Sequence, residues 1–248
     1  MDKRELGPAY YAAGRGWLRE WWTLLHPPYT LWHLSYVVIG GCLAPEVDWS
    51  RLLKTVAAFF LAVGVSAHAL DELNGRPLGT QIPGWALISV AALGLAGAVI
   101  LGADGVRDVG PELIAFIVAG VVLVLAYNLE LWGSRLHNDV GFALAWGAFP
   151  VVVAYFAQAG RIDAVAVLAA AGAVGLSIAQ RALSTPARHL RRRVARVEGT
   201  VELRDGGVKS IEIANLLEPL ERALRALGWA TVALALAILA ARVLYAWA

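Results

Sequence analysis

The sequence predicts an all-α integral membrane protein with about seven transmembrane helices in one bundle. Of its 248 residues, 59% are hydrophobic and only 16% are charged, whereas an ordinary soluble domain is about 45–50% apolar and about 25% charged. Seven apolar stretches have lengths near 20 residues, the length that crosses a hydrocarbon core of about 30 Å. The single cysteine, Cys42, excludes an internal disulfide. Lipid is therefore the expected solvent for most of the chain.

The apolar stretches follow one another with short polar connections. They lie at about 29–46, 53–71, 84–103, 111–131, 139–160, 162–183 and 227–247. Before the first stretch, tryptophans alternate with charged residues between positions 14 and 29, a pattern typical of an amphipathic helix in the headgroup layer. We therefore divide the chain into an interfacial, cytoplasmic segment 1–28, a six-helix membrane bundle 29–183, a basic cytoplasmic loop 184–226 and a last transmembrane helix 227–248.

The basic loop has two parts with different patterns. Residues 197–214 alternate in polarity and contain Asp205-Gly206, a pair that favours a β-hairpin turn. Residues 215–229 place apolar side chains at helical spacing, which predicts an amphipathic helix that leads into the last span.

The distribution of basic residues predicts the orientation. Of the 21 lysines and arginines, 16 fall on the N-terminal segment and on every second connection, and 5 fall on the other side. Basic residues accumulate on the cytoplasmic side of membrane proteins. We therefore expect a protein integral to the plasma (inner) membrane, with its N-terminus in the cytoplasm and, after seven crossings, its C-terminus outside.

A first polar cluster closes the second apolar stretch. His68, Asp71 and Glu72 are three and four residues apart, so a helix places them on one side. We interpret all three as candidate catalytic residues for acid–base chemistry, and Asp71 and Glu72 as candidate ligands of a divalent cation. Asn74 and Arg76, in the turn that follows, are candidate substrate-binding residues. The alternative is a polar helix end wetted by the cytoplasm, with Glu72 paired to Arg76.

A second polar cluster follows the fourth apolar stretch. Tyr127 closes that stretch, Arg135 lies in the turn, and Asn138 and Asp139 begin the next helix. The planar donor fork of Arg135 suits a phosphate, and we interpret these four as candidate substrate-binding residues. The alternative for Asp139 is helix capping.

Arginines dominate the segment after the sixth apolar stretch, between positions 181 and 196. Arg188 and Arg192 are candidate substrate-binding residues, because guanidinium groups bind a diphosphate by charge and hydrogen bonds. The alternative is that these arginines bind anionic lipid of the inner leaflet.

The two polar clusters are expected to face each other across one cavity, because charges near membrane depth need partners. Arg135 then pairs with Asp71 or Glu72, and Arg76 pairs with Asp139. An apolar ligand tail is expected to run towards the glycines at 40–41 and 94–97, where small residues leave space or allow close packing. Four tryptophans, Trp32, Trp85, Trp132 and Trp146, can line a pocket and stabilise a carbocation through their faces, although packing in an interfacial belt or in the core is the favoured interpretation of each.

The order of these segments resembles the UbiA superfamily of intramembrane prenyltransferases. The resemblance covers about residues 24–196 and rests on HPPYTLWHLSYVVIGGCLA, on the polar cluster followed by Arg-Pro, and on the later Tyr, Arg, Asn-Asp and Trp-Gly. It implies a UbiA-like bundle in which two acidic motifs hold Mg²⁺ against a prenyl diphosphate.

The acidic motifs themselves depart from the family pattern. The first motif retains at most one of its three acids, and no Asp or Glu occurs between Asp163 and Glu198, where the second motif belongs. A bound Mg²⁺ is therefore doubtful, and any metal dependence is expected to be weak and to involve Asp71 and Glu72.

Three functions are compatible with these observations. The first is binding of an isoprenoid lipid, a prenyl diphosphate or a quinone-like molecule, with transfer or cyclisation of the prenyl group. The second is a non-catalytic UbiA-like subunit that binds lipid or quinone, or has a structural role, in a complex with a membrane-protein partner. The third is an unrelated membrane enzyme or carrier built on His68, Asp71 and Glu72. Enzymatic activity is left open, and nucleic acid is not an expected partner.

Overall fold

The computed structural model describes residues 7–133, 135 and 137–245, and these fold into a helical bundle with one small β-hairpin. The ends of the first and last predicted segments, 1–6 and 246–248, lie outside the described residues. The elements are α1 (Trp17–Leu24), α2 (Pro27–Leu43), α3 (Trp49–Leu73), α4 (Gly84–Val109), α5 (Leu113–Asn128), α6 (Asp139–Ala159), α7 (Ala164–Arg192), β1 (Glu198–Glu202), β2 (Val208–Glu212) and α8 (Ile213–Tyr245).

Five of these helices, α3, α4, α6, α7 and α8, are long and apolar enough to cross a membrane. This confirms the prediction of an all-α membrane protein. Helices also occupy the two other predicted stretches, but α2 has 17 residues and α5 has 16, slightly short of the usual length for a span. The number of seven spans and the cytoplasmic orientation remain predictions.

The interfacial segment is a short helix that ends sharply before the bundle. Trp17, Leu18 and Trp22 are exposed on α1, whereas Leu24 is buried, so the helix has one face free for the headgroup layer. His26 adopts a left-handed backbone conformation, with φ of 45°, and separates α1 from α2. The amphipathic stretch predicted at 14–29 is therefore two elements.

The centre of the bundle is α2, which packs mainly against α6 and α8. Trp32 and Tyr36 are fully buried there, and the indole Nε1 of Trp32 donates to the Tyr36 hydroxyl at 2.7 Å. A side chain at Gly40 would meet the backbone of Val151 at 2.3 Å. Gly40 therefore allows close helix packing rather than space for a ligand tail.

Two transmembrane helices contain a π-helical segment. These segments are Phe60–Ala67 within α3 and Ala143–Ala148 within α6. Each widens the helix by changing its hydrogen-bond pattern, a rare feature that is frequent at functional sites.

The basic loop contains the predicted hairpin. Strands β1 and β2 are antiparallel, with Thr200 opposite Ser210, and the turn at Asp205-Gly206 uses a φ of 82° at the glycine. As predicted, the amphipathic stretch after the hairpin runs into the last apolar stretch, and the two form one helix, α8, which continues through Pro219.

Candidate functional site

A polar cavity of about 480 Å³ opens at one end of the bundle. Its walls come from the N-terminal segment, the starts of α2, α6 and α8, and the ends of α3, α5 and α7. These are the segments that the distribution of basic residues assigns to one side of the membrane. We call this end of the bundle the cavity end.

Arginines at the end of α7 and directly after it form one wall of the cavity. They are Arg181, Arg188, Arg191, Arg192 and Arg193.

Three of these arginines have structural partners. Arg181 donates to the carboxylate of Asp139 at 2.8 Å, and Arg191 forms a two-point pair with the buried carboxylate of Glu221. Arg192 donates to the carbonyl of Pro8 at 3.2 Å, which holds the N-terminal segment over the cavity. Arg188 has no hydrogen-bonded or ion-paired partner within the described part of the chain, so it is the cation best placed for an anionic ligand.

Two stacked histidines form the opposite wall. The rings of His26 and His68 lie 4.3 Å apart and nearly parallel. Tyr11 lies 2.7 Å from Nδ1 of His26 through its hydroxyl oxygen. Burial, followed by the nearby His68, lowers the pKa of His26 well below its ordinary value, and burial raises the pKa of Tyr11 well above its own. Both side chains are therefore neutral near pH 7.

Some polar atoms at the cavity lack partners. The buried Nε2 of His26 and the buried Oε1 of Gln180 have no hydrogen-bond partner among the described residues, and both side chains line the cavity. Nearly all buried polar atoms in proteins are hydrogen-bonded. Their unpaired atoms make these two side chains of the cavity wall candidates for ligand binding.

A second, apolar pocket of about 120 Å³ lies between α3, α4, α5 and α6. Aromatic and aliphatic side chains line it, including Phe59, Phe116 and Phe149. Val63 and Trp146 line both this pocket and the polar cavity, so the two spaces adjoin. Each of these two residues lies in a π-helical segment. The unusual helix geometry therefore occurs where the two spaces meet, a place that we call the junction.

Six of the predicted site residues line the cavity. They are His68, Asp71, Asn74, Tyr127, Arg188 and Arg192. Five others, Glu72, Arg76, Arg135, Asn138 and Asp139, are not among its lining residues.

Glu72 is fully buried and has a structural role. Its carboxylate accepts from the backbone amides of Leu78 and Thr80, at 2.9 and 2.8 Å, and from the Thr80 hydroxyl. These bonds hold the turn after α3 and direct the carboxylate away from His68 and Asp71.

Arg76 holds the same turn, because its guanidinium donates to the carbonyl of Ile82 at 2.6 Å. The predicted pairing of Arg76 with Asp139 is therefore wrong, and Asp139 pairs with Arg181 instead. Asn138 caps α6 by accepting from the Gly141 amide at 2.8 Å. Arg135 lies exposed in the turn before α6.

The residues present do not fit a Mg²⁺ site on Asp71 and Glu72. All the hydrogen bonds of the Glu72 carboxylate serve the backbone turn and one threonine, and of these two acids Asp71 alone lines the cavity. Within the described residues, no group of three or more His, Cys, Asp or Glu is arranged to hold a metal ion. Mg²⁺ needs several oxygen ligands in octahedral geometry, which one carboxylate does not supply.

Several residues of the cavity wall were not predicted from the sequence. Tyr11, His26, His33 and Gln180 come from four places in the chain, and the last three have no acidic or basic neighbour three or four residues away. The only local signal is at His26, which directly precedes Pro27-Pro28 and so begins a helix.

Comparisons with protein-family models, with curated proteins and with solved structures give no significant match to this chain. The relationship to the UbiA superfamily therefore stays a prediction.

Proposed function

We propose that this protein binds a membrane lipid whose phosphate or diphosphate head group occupies the polar cavity and whose tail enters the apolar pocket. The observation that carries the proposal is the junction at Val63 and Trp146, where a polar space and an apolar space adjoin. Such a pair of spaces matches an amphiphile, because each half of the ligand meets walls of its own polarity.

The charge of the cavity supports an anionic head group. Five arginines line it against three carboxylates, those of Asp71, Glu130 and Glu221. A phosphate that leaves water needs charge-assisted hydrogen bonds to offset its desolvation. Arg188 supplies donors that no described residue uses, and Arg192 lies beside it in the same electrostatic cluster. A quinone-like head group carries no charge and would use less of this wall.

Among phosphate-headed lipids we favour those with a prenyl tail, because of the UbiA-like order of the segments. Transfer or cyclisation of the prenyl group is a second candidate function, favoured by the aromatic cluster at the junction. The ring of Tyr127 lies 5.5 Å from that of Trp146, edge to face, and 6.2 Å from that of Phe142. Aromatic faces stabilise a developing cation. Product formation from a prenyl diphosphate and a membrane acceptor distinguishes this activity from binding alone.

The test is the lipid that accompanies the purified protein. Mass spectrometry of the lipid extract should find a phosphate-headed lipid with the wild-type protein, and Arg188→Gln plus Arg192→Gln should lose most of it. Arg204→Gln is the matched control, because Arg204 is exposed in the hairpin turn, away from the cavity. Equal lipid content in the double variant and the control would overturn the proposal.

A further inference from the structure

We infer that the head group of the bound lipid carries a hydroxyl group beside its phosphate. This inference rests on the proposed function and narrows the class of lipid. It comes from the hydrogen-bond acceptors of the cavity, whereas the proposed function comes from the junction of the two spaces and from the arginines of the cavity wall.

The first acceptor is Gln180 on α7. Its side chain is only 3% exposed and lines the cavity, and its Oε1 has no partner among the described residues. A carboxamide oxygen accepts hydrogen bonds and cannot donate them, so it is not a partner for a phosphate oxygen. A ligand that leaves this atom unpaired would bind less tightly.

The second acceptor is His33 on α2, which is 5% exposed. Its Nδ1 lies 2.9 Å from the carbonyl oxygen of Trp146. Since a carbonyl only accepts, Nδ1 carries the hydrogen, and in the neutral imidazole Nε2 is then an acceptor. His137 shows the same arrangement, with Nδ1 at 3.3 Å from the carbonyl of Tyr127. Both histidines line the cavity.

The third acceptor is the carboxylate of Asp71, which lines the cavity and has no hydrogen-bonded partner in the described ranges. Acceptors on α2, α3 and α7 thus surround a space that also holds an arginine wall. A ligand complementary to this space has an anionic group for the arginines and at least one O–H or N–H donor for the acceptors.

The charge balance favours a hydroxyl over an ammonium group as this donor. The lining has more arginines than carboxylates, and the charges of Arg188 and Arg192 both act on Asp71, the acceptor best suited to a cation. A neutral hydroxyl donates to the same acceptors without this repulsion. It also accepts a hydrogen bond in return, which suits the donor half of the Gln180 carboxamide.

Two lipids with the same single negative charge test the inference. Phosphatidylglycerol carries hydroxyls beside its phosphate, and phosphatidylmethanol with the same acyl chains carries none. One added hydrogen bond of about 0.5–1.5 kcal/mol corresponds to a preference of about two- to tenfold, so we expect that ratio of Kd in favour of phosphatidylglycerol. Farnesyl phosphodiesters of glycerol and of methanol repeat the comparison with a prenyl tail.

A variant assigns the preference to the predicted acceptor. Gln180→Leu should bind both lipids with the affinity that the wild type has for phosphatidylmethanol. Gln81→Leu, at an exposed glutamine outside the cavity, should keep the wild-type preference. Arg188→Gln should weaken the binding of both lipids by a similar factor.

The outcomes separate this inference from the proposed function. Equal binding of the hydroxylated and methylated lipids by the wild type, with weaker binding of both by Arg188→Gln, would overturn the inference and leave the proposed function standing. Tighter binding of phosphatidylethanolamine would also overturn it, in favour of an ammonium group. Binding of none of these probes would overturn both. Displacement of bound phosphatidylglycerol by an equal concentration of soluble glycerol phosphate would identify a free phosphate as ligand and overturn the lipid assignment.

Discussion

The two ends of the bundle use their polar residues in opposite ways. At the end away from the cavity, which we call the closed end, polar side chains bond to the backbone of neighbouring helices. Arg242 donates to the carbonyl of Cys42 at 2.6 Å, Arg51 donates to that of Ala157 at 3.1 Å, and Gln158 accepts from the Asp48 amide at 2.8 Å. At the cavity end, Arg188, Gln180 and His26 each have donors or acceptors that no described residue uses, whereas at the closed end the one such buried atom among the described residues is the Nε of Arg51, whose Nη1 still bonds to the backbone.

This difference indicates where stability and function lie in the molecule. The closed end satisfies the carbonyls and amides that helix termini leave unpaired, so it holds the helices together. The cavity end keeps polar groups unpaired in a partly buried space, which lowers the stability of the empty protein and provides affinity for a ligand. Substitutions at the two ends should therefore separate stability from binding.

The largest expected effect is at the helix contact that links the two ends. Gly40→Val puts a side chain into the backbone of Val151, and α2 cannot move away because α6 and α8 enclose it. We expect no folded protein after detergent extraction, as judged by size-exclusion chromatography. Gly175→Val is the control, because a side chain at Gly175 meets nothing within 4 Å. A monodisperse Gly40→Val protein would show that the central contact is looser than described.

The next effect contrasts two arginines of the cavity wall. Glu221→Gln leaves the buried guanidinium of Arg191 without its carboxylate, and the loss of one partner of a buried pair costs about 3–5 kcal/mol. Arg188→Gln removes an arginine with no partner in the described part of the chain, so it should leave the melting temperature unchanged or raise it. Thermal unfolding in detergent measures both. If the melting temperature falls as much for Arg188→Gln as for Glu221→Gln, then Arg188 contributes to stability as the paired Arg191 does, which would contradict this prediction.

A smaller loss of stability is expected at the closed end. Arg242→Met removes the hydrogen bonds from the guanidinium to the carbonyls of Cys42, Ala44 and Pro45. Hydrogen bonds from charged groups contribute about 1.5–3 kcal/mol, and the methionine retains part of the apolar contact. Lipid binding should remain at the wild-type level. Arg107→Met, at an exposed arginine near the end of α4, is the control. A loss of bound lipid in Arg242→Met would show that the closed end also affects binding at the cavity end.

The sequence predicts the helices and the hairpin better than it predicts the cavity. Apolar length and composition identify the helical regions, because the lipid imposes both on every span. The hairpin follows from Asp205-Gly206, since the turn needs the left-handed conformation that glycine adopts at Gly206. The spacing of three residues also predicts that His68 and Asp71 lie together, because it places them on one face of a helix.

The rest of the site depends on contacts between distant segments. Glu72 fits the same helical pattern as Asp71, yet the turn at 78–80 captures its carboxylate, and no spacing rule reveals this competition. Trp146 is one of ten tryptophans, and its place at the junction depends on the π-helical segment in α6. Gln180 and His26 are candidate ligand-binding residues because each has a buried atom without a hydrogen-bond partner among the described residues. Only the three-dimensional arrangement shows this.

The smallest expected effect concerns pH and tests whether the cavity end holds its histidines neutral. His26 directly precedes α2 and faces charged and titratable groups from four segments, and burial with these neighbours lowers its pKa well below 6.5. The groups are Tyr11 of the N-terminal segment, Tyr29 and His33 of α2, His68 of α3, and Arg188 and Arg192 of α7. The unfolded chain protonates His26 near 6.5 and the folded chain only at lower pH, so between these values the unfolded state binds more protons. The free energy of unfolding therefore falls as the pH falls below about 6.5, by at most about 1.4 kcal/mol per pH unit for one group.

His26→Asn isolates this contribution, because asparagine tolerates the left-handed backbone conformation of residue 26 and does not titrate in this range. The melting temperature of the wild type should fall more between pH 7.5 and pH 5.5 than that of His26→Asn, while His68 and His33 contribute to both. His189→Asn, at an exposed histidine in the last turn of α7, should follow the wild type. If His26→Asn and the wild type lose the same amount of stability on acidification, then His26 is protonated as readily in the folded protein as in the unfolded chain. The stacked histidine wall would in that case carry positive charge near pH 6, and it would add to the arginine wall in attracting a phosphate.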